Sequence, residues 1–162
     1  MTNRPRGATN GLRVRAVSVL GDLALVGVGG AIGTLARHLA NIAWGGSWLG
    51  APGGNPWVTF SINSTGAFVL GAVVALLAVR HPRAQLFIGT GVLGGYTTYS
   101  LLAADVAGLT IGGAPWAALV LGLGTVVVGL VGSFAGSALG SAARGRLEAR
   151  RDGNEHEGEE AA

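Results

Sequence analysis

Apolar and polar positions alternate in long blocks along this chain. Four nearly uncharged runs cover about residues 17–44, 56–79, 84–109 and 116–142. Each exceeds the roughly 20 apolar residues that a helix needs to cross a hydrocarbon layer of about 30 Å. The pattern predicts an all-α integral membrane protein of four transmembrane helices, with residues 17–142 forming one domain. The connections are short. Trp44–Pro56 is rich in Gly and Pro, with Trp44, Trp48 and Trp57 around it, and indoles at span ends suit the headgroup interface. Pro56 suits the first turn of the second helix. Arg80–Arg83 reads R-H-P-R, a tight basic loop, and Thr110–Pro115 is a short uncharged turn. Residues 1–16 and 143–162 are charged and are expected to be disordered tails, the second after a short helical extension.

The third run differs from the others. Thr90–Leu102 reads T-G-V-L-G-G-Y-T-T-Y-S-L-L. Paired glycines followed by β-branched threonines are poor material for a straight helix. A break is predicted there. In lipid, the carbonyls that a break frees must find a partner in protein or beside a wet or ion-filled cavity. The break is therefore the candidate functional site, and the flanking helices serve to bury it. Gly29 and Gly33 share one face of the first span, where small residues let another helix approach closely. Gly122, Thr125, Gly129, Gly132, Ser133 and Gly136 recur along the fourth.

Composition strengthens the membrane reading. Of the 162 residues 30 are Gly and only 12% are charged, against about 25% in soluble domains; the mean hydropathy is +0.51. No Cys is present, which excludes a disulfide framework and a thiolate metal site. The first apolar run is too long for a signal peptide and lacks a small-residue cleavage pattern. All 11 cations are Arg. They flank the spans and form no single patch, which argues against nucleic-acid binding. Arg4, Arg6, Arg13 and Arg15, then Arg80 and Arg83, then Arg144, Arg146, Arg150 and Arg151 fall on one side of a four-span layout. The positive-inside rule then predicts a plasma-membrane protein with both termini cytoplasmic.

Several polar residues inside the runs are candidates for chemistry. Asn63 sits in the second span; it is either glue between helices or a donor on an anion path. Thr97, Thr98 and Ser100 cluster at the break, and Thr125 is placed to face them from the fourth span. Such hydroxyls commonly bond back to their own helix, yet here they share one depth with freed carbonyls, which suit a hard cation such as Na⁺. Arg37 is either a side chain snorkelling to the interface or an attractor of anions at a pore mouth. Asp22 and Asp105 lie near span ends and read as caps or water-facing groups, and His38 as a surface residue. No transition-metal spacing, nucleophile–base pair or nucleotide-binding fingerprint is present, so enzyme chemistry has no support.

Three stretches together resemble the Fluc (CrcB) family of fluoride channels: G-G-A-I-G-T-L-A-R at Gly29–Arg37, I-N-S-T-G-A-F-V-L-G at Ile62–Gly71, and G-V-L-G-G-Y-T-T-Y-S at Gly91–Ser100. The resemblance runs from about Val17 to Ala142. It implies an antiparallel dimer that passes fluoride down its electrochemical gradient and lowers cytoplasmic fluoride. It also implies a structural, untransported Na⁺ at the dimer centre, held by the backbone carbonyls of Gly94 and Thr97 from both copies. Asn63, Tyr99, Ser100 and Thr125 are implied on the anion path, and Arg37 in the vestibule.

Two departures bear on that reading. The family pattern T-T-F-S-T-F is here T-T-Y-S-L-L, so Tyr99 and Leu102 stand at the aromatic positions and Leu101 replaces the second-last threonine. Tyr99 keeps a ring whose positive edge can face an anion; Leu102 does not. The strong Arg asymmetry also disfavours insertion in both orientations. The dimer is thus either a homodimer or a pair with an oppositely oriented paralogue. A non-conducting or half-active partner subunit is the alternative function. A small drug/proton exchanger is a weaker one, because Asp22 is the only first-span carboxylate and lies near the entry.

Overall fold

A computed structural model describes the backbone of residues 6–44, 55–77 and 81–160, with side chains for 18–44, 55–77 and 81–151. The described residues are helical apart from short connections. In chain order the elements are α1 (Arg6–Ala43), α2 (Pro56–Leu77), α3 (Pro82–Gln85), a π-helical stretch (Leu86–Leu93), α4 (Gly94–Tyr96), α5 (Tyr99–Ile111) and α6 (Pro115–Glu160). Trp48, Arg4 and Arg80 lie outside the described residues.

Three helices are long and apolar enough to cross a bilayer: Ser18–Ala43, Pro56–Leu77 and Pro115–Arg151. At about 1.5 Å per residue, the 26 residues of the first reach beyond the ~30 Å hydrocarbon layer. The predicted span at 84–109 is instead an interrupted path from Pro82 to Ile111, none of whose pieces has that length. The helices also run through both segments expected to be tails: α1 starts at Arg6 and α6 continues to Glu160. Ala143, Arg144, Leu147, Glu148 and Ala149 are strong helix formers, and Arg144 pairs with Glu148 one turn on at 3.9 Å. Arg144 Nη1 also donates to the Ala75 carbonyl at 3.4 Å, near the end of α2 where carbonyls lack helical donors.

Packing divides the molecule into two halves joined by α2. On one side α1 packs along the π-helical stretch and α4; on the other α6 packs along most of α2 and against α5. Glycines set both interfaces. A Cβ on Gly29 would meet the Phe87 carbonyl, one on Gly33 the Val92 carbonyl, and one on Gly95 the Gly30 carbonyl. Across α2 and α6, Gly71 lies against Ser133, Gly136 against Phe68, and Gly140 against Ala72. Backbone meets backbone at these points, so dispersion contacts between helices replace the hydrophobic drive that lipid does not supply. The buried core is small: Val58, Ile62, Leu93, Leu102, Ala118 and Leu121. Large apolar residues such as Leu23, Val28, Leu35, Val126, Val131 and Phe134 face outward, as lipid-facing surfaces do.

The turn between α5 and α6 needs one special residue. Gly113 has φ +82°, a conformation in which a Cβ would crowd the following carbonyl. Asp22 and Arg83 approach to 3.8 Å and link α1 to the start of the interrupted path. Asp22, expected as a cap or water-facing group, is partly exposed in this pair.

Candidate functional site

The helix breaks at Thr97 and Thr98. Thr97 has φ −77°, ψ 155° and Thr98 φ −150°, ψ 120°, both extended. The paired glycines just before it do not break the helix, as their sequence suggested; Gly94 is helical at φ −64°, ψ −35°. Their role is proximity. Gly95 lets α1 come against it at Gly30, and Thr34 Oγ1 donates to the Gly95 carbonyl at 3.4 Å. The threonines carry the break, because β-branching fits extended backbone better than helix.

Asn63 holds the break open. Its Oδ1 accepts the Thr98 N–H at 2.8 Å, and its Nδ2 donates to the Thr98 carbonyl at 2.9 Å. In a continuous helix the Thr98 N–H would bond the Gly94 carbonyl four residues back. Asn63 takes that donor, so the Gly94 carbonyl is released from its helical bond. Gly66, one turn along α2, lies against Tyr96 and Thr97 and lets α2 come close enough for the Asn63 amide to reach.

The next carbonyl set free is that of Thr97. Arg37 Nη1 donates to it at 3.2 Å from α1. A guanidinium has five N–H donors, so most remain for other acceptors. Thr97 itself closes the first half, its N–H and Oγ1 both donating to the Leu93 carbonyl at 2.9 Å. Beyond the break Thr98 caps α5: its Oγ1 accepts the Leu101 N–H at 3.3 Å and lies 3.1 Å from Ser100 Oγ. Such an N-cap satisfies one of the orphan donors at a helix start.

The structure thus brings Arg37, Asn63, Thr97, Thr98 and Ser100 together. Gly94 and Ser100 are exposed on the isolated chain, and Tyr99 is 83% exposed, while Thr98 is buried. Thr125 stands apart. It is buried, and its hydroxyl donates to the Leu121 carbonyl of its own helix at 2.6 Å. Leu102, at the second departure from the family pattern, is buried.

Sequence reading missed three features. The π-helical stretch Leu86–Leu93 directly precedes the break; such wide turns recur at functional sites, and only the spacing of Gly89 and Gly91 hinted at it. The second is Asp105, read as a cap or water-facing group: its Oδ2 is buried without a hydrogen-bond partner among the described residues. The third is Asn41, buried on α1 one turn beyond Arg37. Its amide among apolar neighbours was the available signal.

Comparison with known proteins accords with this geometry. Residues 24–147 match the family described as CrcB-like protein, Camphor Resistance (CrcB). The chain is 41% identical over 129 residues to Fluoride-specific ion channel FluC 2 of Leifsonia xyli, covering 75% of this chain and 84% of that one. It is 39% identical over 120 residues to Fluoride-specific ion channel FluC of a Thermus thermophilus strain, covering 73% and 92%. The same identity holds over 123 residues with the protein of that name from Agrobacterium fabrum, covering 74% and 95%. The interrupted third path, the asparagine that clamps it and the match across most of the chain lead to one conclusion: this is a multi-pass membrane protein that belongs to the CrcB-like family.

Proposed function

We propose that the protein is a fluoride channel that lets the anion leave the cell passively and so lowers internal fluoride. The relatives named above are called fluoride-specific ion channels. The observation that carries the reading is the two-bond clamp of Asn63 on Thr98, which holds a polar break open in a span that is otherwise apolar.

Fluoride is small and tightly hydrated, so a pore must offer donors in place of water. Arg37 raises the local anion concentration through its charge while its spare N–H groups face the break. Asn63 keeps a second Nδ2 hydrogen beyond the one given to Thr98. Ser100 supplies a hydroxyl, and Tyr99 a ring edge. Thr125 joins this set only by exchanging its bond to Leu121.

A resident Na⁺ fits the residues present. The Gly94 carbonyl has lost its helical donor to Asn63, and the Thr97 carbonyl has two lone pairs, one of which Arg37 uses. Neutral carbonyls suit a hard monovalent cation, and no cluster of three His, Cys, Asp or Glu side chains exists among the described residues. Two carbonyls from each of two antiparallel copies would hold the ion. When bound it offsets the repulsion between the facing carbonyl dipoles. The exposure of Gly94, Tyr99 and Ser100 supports a second subunit over this face. With both termini cytoplasmic, the second subunit is an inverted copy or an oppositely oriented paralogue.

A second reading is favoured by Leu101 and Leu102: a half-active subunit whose partner supplies the better pore. One experiment separates the two. The chain is reconstituted alone into liposomes loaded with fluoride, and efflux is read with a fluoride electrode. Efflux from the single chain establishes a self-sufficient channel and rules out an obligate heterodimer. No efflux alone, with efflux restored by an oppositely oriented paralogue, establishes the partner reading. No efflux in either case overturns the fluoride channel.

A further inference from the structure

Two polar side chains are more than nine-tenths buried outside the cluster described above. Asn41 on α1 is 7% exposed and Thr59 on α2 is 5% exposed. Neither side chain has a hydrogen-bond partner among the described residues. Buried amides and hydroxyls are nearly always paired, so each such orphan calls for a ligand or water.

Their positions follow from the register of the two helices. Arg37 and Asn63 reach consecutive residues of the break, Thr97 and Thr98, so the two side chains share one depth. Asn41 lies one turn further along α1, and Thr59 one turn earlier on α2. The helices run in opposite directions, so both steps lead away from the break toward the same membrane face. Thr59 shares the α2 face that meets the interrupted path at Asn63, Gly66 and Leu70. Beyond Thr98 that path departs, because α5 packs on α6 and α2 instead of on α1. Asn41 and Thr59 thus flank the place that the chain has left. Further out, a cavity of about 340 Å³ opens between the same helix ends, lined by Trp44, Asn55, Trp57, Val58 and Ser61.

We propose that Asn41 and Thr59 form a second level of anion donors, one turn outward of Arg37, where fluoride exchanges part of its water before reaching the break. The proposal rests on the channel reading above. The chemistry favours an anion: an amide offers two N–H donors and a hydroxyl one, both uncharged and dry, next to a guanidinium that repels cations. An anion held here by neutral donors alone can still leave, as conduction demands.

The test uses the full chain in proteoliposomes, with the paralogue present if wild type needs it. Asn41→Asp replaces a donor with an anionic acceptor at nearly the same volume. Thr59→Val removes the hydroxyl at the same volume, and Thr59→Ser keeps it. Expected are a loss of fluoride efflux of roughly tenfold or more for Asn41→Asp, a several-fold loss for Thr59→Val with a raised half-saturating fluoride concentration, and efflux within about twofold of wild type for Thr59→Ser. Size-exclusion profiles of the same preparations report assembly. Asn41→Asp and Thr59→Val both conducting like a conducting wild type would falsify the proposal and leave a water-filled recess. Losses that track loss of the assembled protein overturn it equally. A wild type that conducts under neither condition overturns the channel reading and this proposal with it.

Discussion

The amide of Asn63 pairs with the backbone of Thr98 as one strand pairs with another: it accepts the N–H at 2.8 Å and donates to the carbonyl at 2.9 Å. A single side chain on α2 thereby substitutes for two helical hydrogen bonds 35 residues away. Asn63→Ala leaves both Thr98 groups buried and unpaired, at a cost of about 1–3 kcal/mol for each. The variant is expected to melt at lower temperature, read by tryptophan fluorescence in detergent, and to lose fluoride efflux. Asn63→Asp keeps the acceptor but sets a carboxylate against the Thr98 carbonyl, so it should rescue neither property. Lost efflux in a fully assembled, stable Asn63→Ala protein would assign Asn63 to the anion path alone and deny it the clamp.

Arg37 reaches the Thr97 carbonyl at 3.2 Å while half-buried. Its contribution has a structural and an electrostatic part. Arg37→Gln retains an N–H donor and removes the charge. Efflux should fall several-fold at low ionic strength, and the difference from wild type should shrink as salt rises, since screening shortens the reach of the charge to about 8 Å near 0.15 M. A salt-independent deficit would place the whole effect in the hydrogen bond.

The glycines of the α1 interface differ sharply in what an added methyl would meet. At Gly33 it would press on the Val92 carbonyl and the Tyr96 N–H, and at Gly95 on the Gly30 backbone. Backbone cannot rotate aside, so Gly33→Ala and Gly95→Ala should each destabilise the fold by at least the ~1–3 kcal/mol typical of overpacking. Gly27 and Gly124 have nothing within 4 Å, and Ala there should be neutral or slightly stabilising through helix propensity. Thermal denaturation of the four variants side by side checks the ordering.

Thr125 offers a sharper contrast. Its hydroxyl already donates to Leu121 at 2.6 Å. Thr125→Val should leave efflux within about twofold of wild type, since back-bonded hydroxyls in helices contribute little beyond their own turn. A large loss of efflux would show that the hydroxyl leaves Leu121 during conduction.

The Asp22–Arg83 pair is an exposed link, with side chains 42% and 76% accessible and 3.8 Å apart. Asp22→Asn should change stability by less than about 1 kcal/mol. Urea or thermal unfolding that moves by much more would mean the pair is shielded by lipid headgroups or a second subunit.

Much of this molecule was legible in the order of its residues. Long uncharged runs can only be helices in a bilayer, since no other single segment satisfies its own backbone there. Pro56 and Pro115 open helices, as their fixed φ and missing N–H favour, and Thr90–Leu102 announced a break by its glycines and threonines. Tertiary structure decided what those glycines do. Gly94 and Gly95 stay helical because α1 presses against them at Gly30; the break moves to Thr97 and Thr98 because Asn63 on another helix claims the Thr98 N–H. A local propensity can mark a weak point in a helix, but which bond gives way depends on which distant donor or acceptor arrives to replace it. The same reason hid Asn41 and Asp105: burial is a property of neighbours, and neighbours far along the chain are set only by the fold.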